Sequence, residues 1–155
     1  MPMNIADLAI SSPAFANEGR IPARHTGEGE DVSPELRWTG VPEGTRQFAL
    51  IVHDPDAPLV QGWTHWTLYA LPADTTGLNE GESGGGVEGA TTPGPAGYGG
   101  PMPPEGHGSH HYYFWLYALD AELDPTPGRS REELLAAMDG HVLEQARLVG
   151  TYERS

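Results

Sequence analysis

The chain of 155 residues carries 22 acidic side chains against 8 basic ones, a formal charge of −14, and no cysteine. A surface this negative disfavours nucleic acid and anionic membranes, which are held by Lys and Arg. Disulfides, thiolate nucleophiles and cysteine-ligated metals are excluded outright.

The opening segment, MPMNIADLAISSPAFANEG, has no basic stretch ahead of an apolar one, and no 18-residue apolar run follows anywhere. The expectation is therefore a cytoplasmic protein without a membrane span. Ile5, Leu8, Ile10, Phe15 and Ile21 alternate with Ser-Pro and Asn-Glu-Gly turn signals, which predicts short strands joined by turns. Turn chemistry then surrounds one short strand over Glu35–Thr39. Gln47–His53 is a β-rich run, and Trp63–Leu71 is another. From 72 to 109 the chain is rich in Gly and Pro, a stretch that reads either as a flexible surface loop or as the rim of a ligand site.

His110–Leu119, HHYYFWLYAL, is apolar at odd and even positions alike, so it predicts a central strand buried on both faces. Ser130-Arg131-Glu132-Glu133 forms a capping box ahead of Leu134, Leu135 and Met138, which predicts a helix that Gly140 interrupts. HVLEQARL predicts a second helical stretch, and VGTYER a closing strand or tail. With no internal repeat and no linker, residues 1–155 read as a single, mainly β domain.

Polar groups gather where strands begin and end. His53, Asp54 and Asp56 close one strand; His65 lies between Trp63 and Trp66; His107, His110 and His111 precede Tyr112. If these strands are neighbours, Asp54, His65 and His110 meet at one rim. Burying such groups without partners would cost about 1–3 kcal/mol each, which favours a shared purpose. Three chemistries suit the set. A metal site is one, although no His-Glu-x-x-His helix is present and His107-Gly-Ser-His110 sits in a glycine loop. Acid–base catalysis by an Asp–His pair is another, although no Gly-x-Ser-x-Gly elbow accompanies it. The third is a small-anion pocket, in which imidazoles held protonated by carboxylates donate to phosphate.

The stretches SPELRWTGVPEGT, DPDAP, WTHW, GPMPPEGHGSHHYYFWLYALD and AMDGHVLEQARLVGTYER, in this order, resemble the phosphatidylethanolamine-binding protein (PEBP) family in its bacterial and archaeal Raf-kinase-inhibitor-like branch. The resemblance runs from about Ile10 to Arg154. It implies a β-sandwich of two antiparallel sheets with short C-terminal helices, and a small pocket at one end. The implied ligand is phosphate, a phosphorylated small molecule or a phospholipid head group. The implied ligand-binding residues are Asp54, His65, Pro103, Pro104, His110 and Tyr112, with His53, Asp56 and His111 as further candidates. Also implied are a cis bond at Ala57–Pro58, a homodimer, and a protein partner such as a kinase or protease. No catalytic residue, metal or cofactor is assigned. The alternative is a metal-dependent or acid–base hydrolase built on His53, His65 and His110. Three departures from the family pattern stand out: His53 occupies a place commonly held by Asp or Thr, His111 one usually held by Arg, and TGEGED one where relatives often show a Thr-Cys-Asp-Gly turn.

Overall fold

The computed structural model describes residues 7–59, 62–94 and 96–154. In chain order the elements are β1 (Ala9–Ser11), β2 (Gly19–Arg20), a 3-10 turn (Ala23–His25), β3 (Leu36–Thr39), β4 (Gln47–Asp54) and β5 (Trp63–Pro72). There follow β6 (Gly77–Leu78), β7 (Val87–Glu88), β8 (His110–Leu119), α1 (Arg131–Met138) and β9 (Val142–Tyr152). They form a three-stranded sheet, β1-β3-β6, packed on a six-stranded sheet, β2-β9-β8-β4-β5-β7.

Strand alternation builds two cores, one on each face of the large sheet. Phe48, Leu50 and Val52 of β4 and Tyr112, Phe114 and Leu116 of β8 point into the sandwich, against Ile10, Leu36, Trp38 and Leu78. Each such side chain stabilises the fold by about 1.5–3 kcal/mol when taken out of water. The residues between them, Ala49 and Ile51 of β4 and Tyr117 and Leu119 of β8, face the other way and are covered by Leu123, Leu134 and Met138. The two-sided burial expected of β8 is complete only over its last four residues, 116–119, because Tyr113 and Trp115 are half-buried and His111 is exposed. The helix α1 begins as its sequence predicts, with the Ser130 hydroxyl accepting from Glu133 N–H at 3.1 Å and the Glu133 carboxylate accepting from Ser130 N–H at 2.9 Å.

Two expectations are corrected. The stretch HVLEQARL is not helical: Val142–Tyr152 is an eleven-residue strand running antiparallel to the whole of β8. Glu, Gln, Ala, Arg and Leu favour a helix locally. Here β8 offers a continuous ladder edge, and Gly140, with φ 80°, has already ended α1. The large sheet is also not wholly antiparallel, since Gly19 and Arg20 pair in parallel with Gly150 and Thr151. Gly150 is required there, because an added Cβ would press on Ile21 and Phe15. Among the described residues no helix is long and apolar enough to cross a membrane.

Candidate functional site

The ends of β4, β5 and β8 meet at one rim of the sandwich. On β4 the inward series Phe48, Leu50, Val52 continues to Asp54; on β8 the series Phe114, Tyr112 continues back to His110. Alternation alone therefore directs Asp54, Tyr112 and His110 to one face. His65 arrives by a different route. Val52 pairs with Trp66 and His53 with Thr64, so His65 has no opposite residue in the ladder. This β-bulge turns onto the inner face a side chain that strict alternation would send outward. Gly62, with φ 70°, makes the approach to β5 possible: an added Cβ would run into the Asp54 carbonyl and lie 2.9 Å from His53 Nε2.

These four residues line a cavity of about 370 Å³. Its remaining wall is largely apolar, with Pro58, Leu59, Trp63, Met102, Pro103 and Pro104 prominent. The Gly/Pro-rich segment thus supplies the rim. It is tied down from outside: Gly100 N–H donates to Asp31 Oδ1 at 2.7 Å, the Tyr98 hydroxyl to the His25 carbonyl at 2.6 Å, and Arg154 to the Pro103 carbonyl at 3.2 Å.

Inside, hydrogen bonds run in a line. Asp54 Oδ1 accepts from Asp56 N–H at 2.7 Å, and Oδ2 faces His110 Nδ1 at 2.7 Å. His110 Nε2 in turn lies 2.6 Å from Nδ1 of His107, which is exposed on its glycine loop. With Asp54 ionised, Nδ1–H of His110 is the donor, and the two imidazoles share one proton across the second contact. Burial raises the Asp54 carboxyl above its ordinary value, against the lowering effect of the His110 bond. Burial also holds Tyr112 as a protonated phenol, reinforced by the charges of Asp54 and Asp56.

His65 behaves differently from what the sequence suggests. Its Nδ1 lies 2.7 Å from the Gly99 carbonyl, and Gly99 N–H returns a bond to the His65 carbonyl at 3.0 Å. Burial lowers the imidazole from an ordinary 6.5 to about 4, outweighing that bond. His65 is therefore neutral near pH 6 and is not the cationic donor that an anion pocket leads one to expect.

The other candidates lie apart from the cavity lining. His53 faces outward with the Ile51 face of β4, its Nδ1 3.0 Å from the Thr64 hydroxyl. Asp56 and His111 pair with each other at 2.8 Å on the surface. No cis peptide bond occurs among the described residues, so Ala57–Pro58 is trans. The turn is closed instead by the Asp54 side chain on Asp56 N–H and by Leu59 N–H on the Ala57 carbonyl. Sequence reasoning left Trp63, Leu59 and Met102 out of the site. Trp63 was the one with a signal, since it stands two residues before His65 in WTHW. Among the described residues no group of three His, Asp or Glu side chains is arranged to hold a metal ion.

Comparisons with known proteins agree with this architecture. The profile of the family described as phosphatidylethanolamine-binding protein matches residues 11–153. A UPF0098 protein of Methanothermobacter thermautotrophicus is 48% identical over 153 residues, which covers 95% of this chain and 99% of that protein. The crystal structure of a PEBP homolog from Chlamydia trachomatis matches with a TM-score of 0.91 at 38% identity, covering 97% of this chain and 100% of that one. Escherichia coli YbcL, described as a new member of the mammalian PEBP family, matches with a TM-score of 0.90 at 35% identity, covering 97% and 100%.

Proposed function

Because this chain belongs to the phosphatidylethanolamine-binding protein family, we propose that its rim cavity binds a small phosphorylated ligand: inorganic phosphate, or the phosphorylated head group of a larger molecule. The observation that carries this reading is the convergence of Asp54, His65, His110 and Tyr112 from three strands onto one cavity with an otherwise largely apolar wall. A volume of about 370 Å³ suits a head group and lies at the small end of the range for ligand sites. Asp54 holds His110 in place, while Pro58, Pro103 and Pro104 stiffen the rim. Reaching His110 Nε2 requires a ligand to displace His107.

Calorimetric titration, or ligand-observed NMR, with phosphate and phosphoethanolamine near pH 6 tests the proposal. Binding in the millimolar range or tighter, lost in His110→Ala, is the expected outcome. No binding at millimolar ligand ends it. The buried Asp54–His110 pair also has the geometry of an oriented general base, which supports a second reading as an acid–base hydrolase. Absence of turnover on simple phosphoester and ester substrates removes that reading.

A further inference from the structure

His65 is held so that only one of its ring nitrogens is available. A carbonyl oxygen cannot donate, so the 2.7 Å contact with Gly99 places the proton on Nδ1. The neutral ring then carries a bare lone pair on Nε2, which has no hydrogen-bond partner among the described residues. The bulge fixes the ring at the cavity wall, and the reciprocal Gly99–His65 bonds prevent an exchange of tautomers without breaking that loop. The titratable groups around it are His110 and Tyr112 on β8 and His53 and Asp54 on β4.

The chemistry these groups offer is rich in acceptors. No arginine is among the described lining residues, Asp54 is a carboxylate, and His65 presents a lone pair. A phosphate dianion would meet both with no fixed cation to offset them. We infer that the cavity selects a phosphomonoester in its singly protonated form, with the P–OH donating to Nε2 of His65. This inference rests on the phosphate-site reading given above. The monoanion brings one charge toward Asp54 instead of two, keeps unprotonated oxygens for the Tyr112 hydroxyl, and supplies the proton that His65 lacks. A sulfate monoester has the same shape and charge but no proton to give, so it leaves a lone pair facing an anionic oxygen.

Phosphoethanolamine and ethanolamine O-sulfate form the decisive pair of probes, titrated calorimetrically into the full chain. At about pH 5.5, below the second phosphate pKa of about 6, the phosphate ester is expected to bind at least about tenfold more tightly than the sulfate ester. Near pH 8 its affinity falls by more than about tenfold as the dianion takes over, while the sulfate ester reports any change on the protein side. Equal binding of the two at the lower pH, or phosphate-ester affinity that holds or rises toward the higher one, overturns the inference and leaves the phosphate site standing. If neither probe binds at millimolar concentration, both readings fall together. His65→Phe is expected to bring the ratio of the two affinities close to one. Should that variant not fold, ¹⁵N NMR of the native chain decides. The unliganded protein must show Nε2 of His65 as an unprotonated nitrogen at neutral pH, shifting when phosphoethanolamine is added. A protonated Nε2 there overturns the proposal.

Discussion

Two Asp–His pairs lie side by side in this chain and behave in opposite ways. Asp54 and His110 sit 2.7 Å apart with side chains 4% and 3% exposed; Asp56 and His111 sit 2.8 Å apart with side chains 41% and 49% exposed. The residue types and the separations match, so environment is the variable. Burial dominates at Asp54 and raises its carboxyl despite the His110 bond. At Asp56 burial pushes the same way but loses to the side-chain and backbone bonds from His111, and the carboxyl ends below its ordinary value. The inner pair orders a site, whereas the outer pair fastens the start of β8 to the turn after β4.

The largest test of this contrast is removal of one partner from each pair. His110→Ala leaves a buried carboxylate alone and should cost about 3–5 kcal/mol in urea unfolding, together with ligand binding. His111→Ala should cost about 1 kcal/mol or less. Equal losses would show that burial is not what separates the pairs. Next comes Gly62→Ala, which forces a side chain into left-handed backbone and against the Asp54 carbonyl. It should destabilise by about 2 kcal/mol and weaken ligand binding, whereas Gly108→Ala, with φ 88° but open space around it, should cost less.

Smaller effects appear in the pH dependence of stability. The raised Asp54 value favours folding below the ordinary 3.8, and that contribution is lost as pH rises through the raised value. The lowered Asp56 value does the reverse: its contribution is present above 3.8 and lost as pH falls through the lowered value. Asp54→Asn should therefore steepen the rise of stability with pH in the acid range, and Asp56→Asn should flatten it. His65 adds stability above pH 6.5 that is lost on the way down to about 4, so His65→Phe should flatten that interval as well. Unfolding curves collected across this range read all three slopes. The smallest expected change in stability is that of His107→Ala, within about 0.5 kcal/mol because the residue is exposed. It should nonetheless raise phosphoethanolamine affinity severalfold by releasing His110 Nε2.

The inner pair was legible in the sequence because its residues lie in register with apolar series on β4 and β8, and because DPDAP and GHGSHHY accompany each other. The outer pair was not, since nothing in the order of residues says that His111 turns back to Asp56. The core strands β4, β5 and β8 could be read from their runs rich in aromatic, aliphatic and β-branched residues. The strand β9 could not, because its helix-favouring residues are overruled by a ladder made with residues far away in sequence. The contact between His107 and His110 was hidden for a related reason: His107 stands between two glycines, where no periodicity gives a side chain its direction. The apolar wall was mostly hidden because Leu59 and Met102 belong to irregular loop segments, where no periodicity marks a direction.

The bulge at His65 acts as a change of phase in a two-beat pattern. Before it and after it, odd and even positions have opposite meanings, so the imidazole owes its direction to a missing pairing and not to its own identity. Transplanting His65 onto a regular strand would therefore point it away from any pocket built to receive it. Removing one residue at this point would restore the rhythm and pair Thr64 and Trp66 as neighbours, closing the ladder and erasing the acceptor together. A designer wishing to move this pocket to another sandwich has to move the irregularity first and the histidine second.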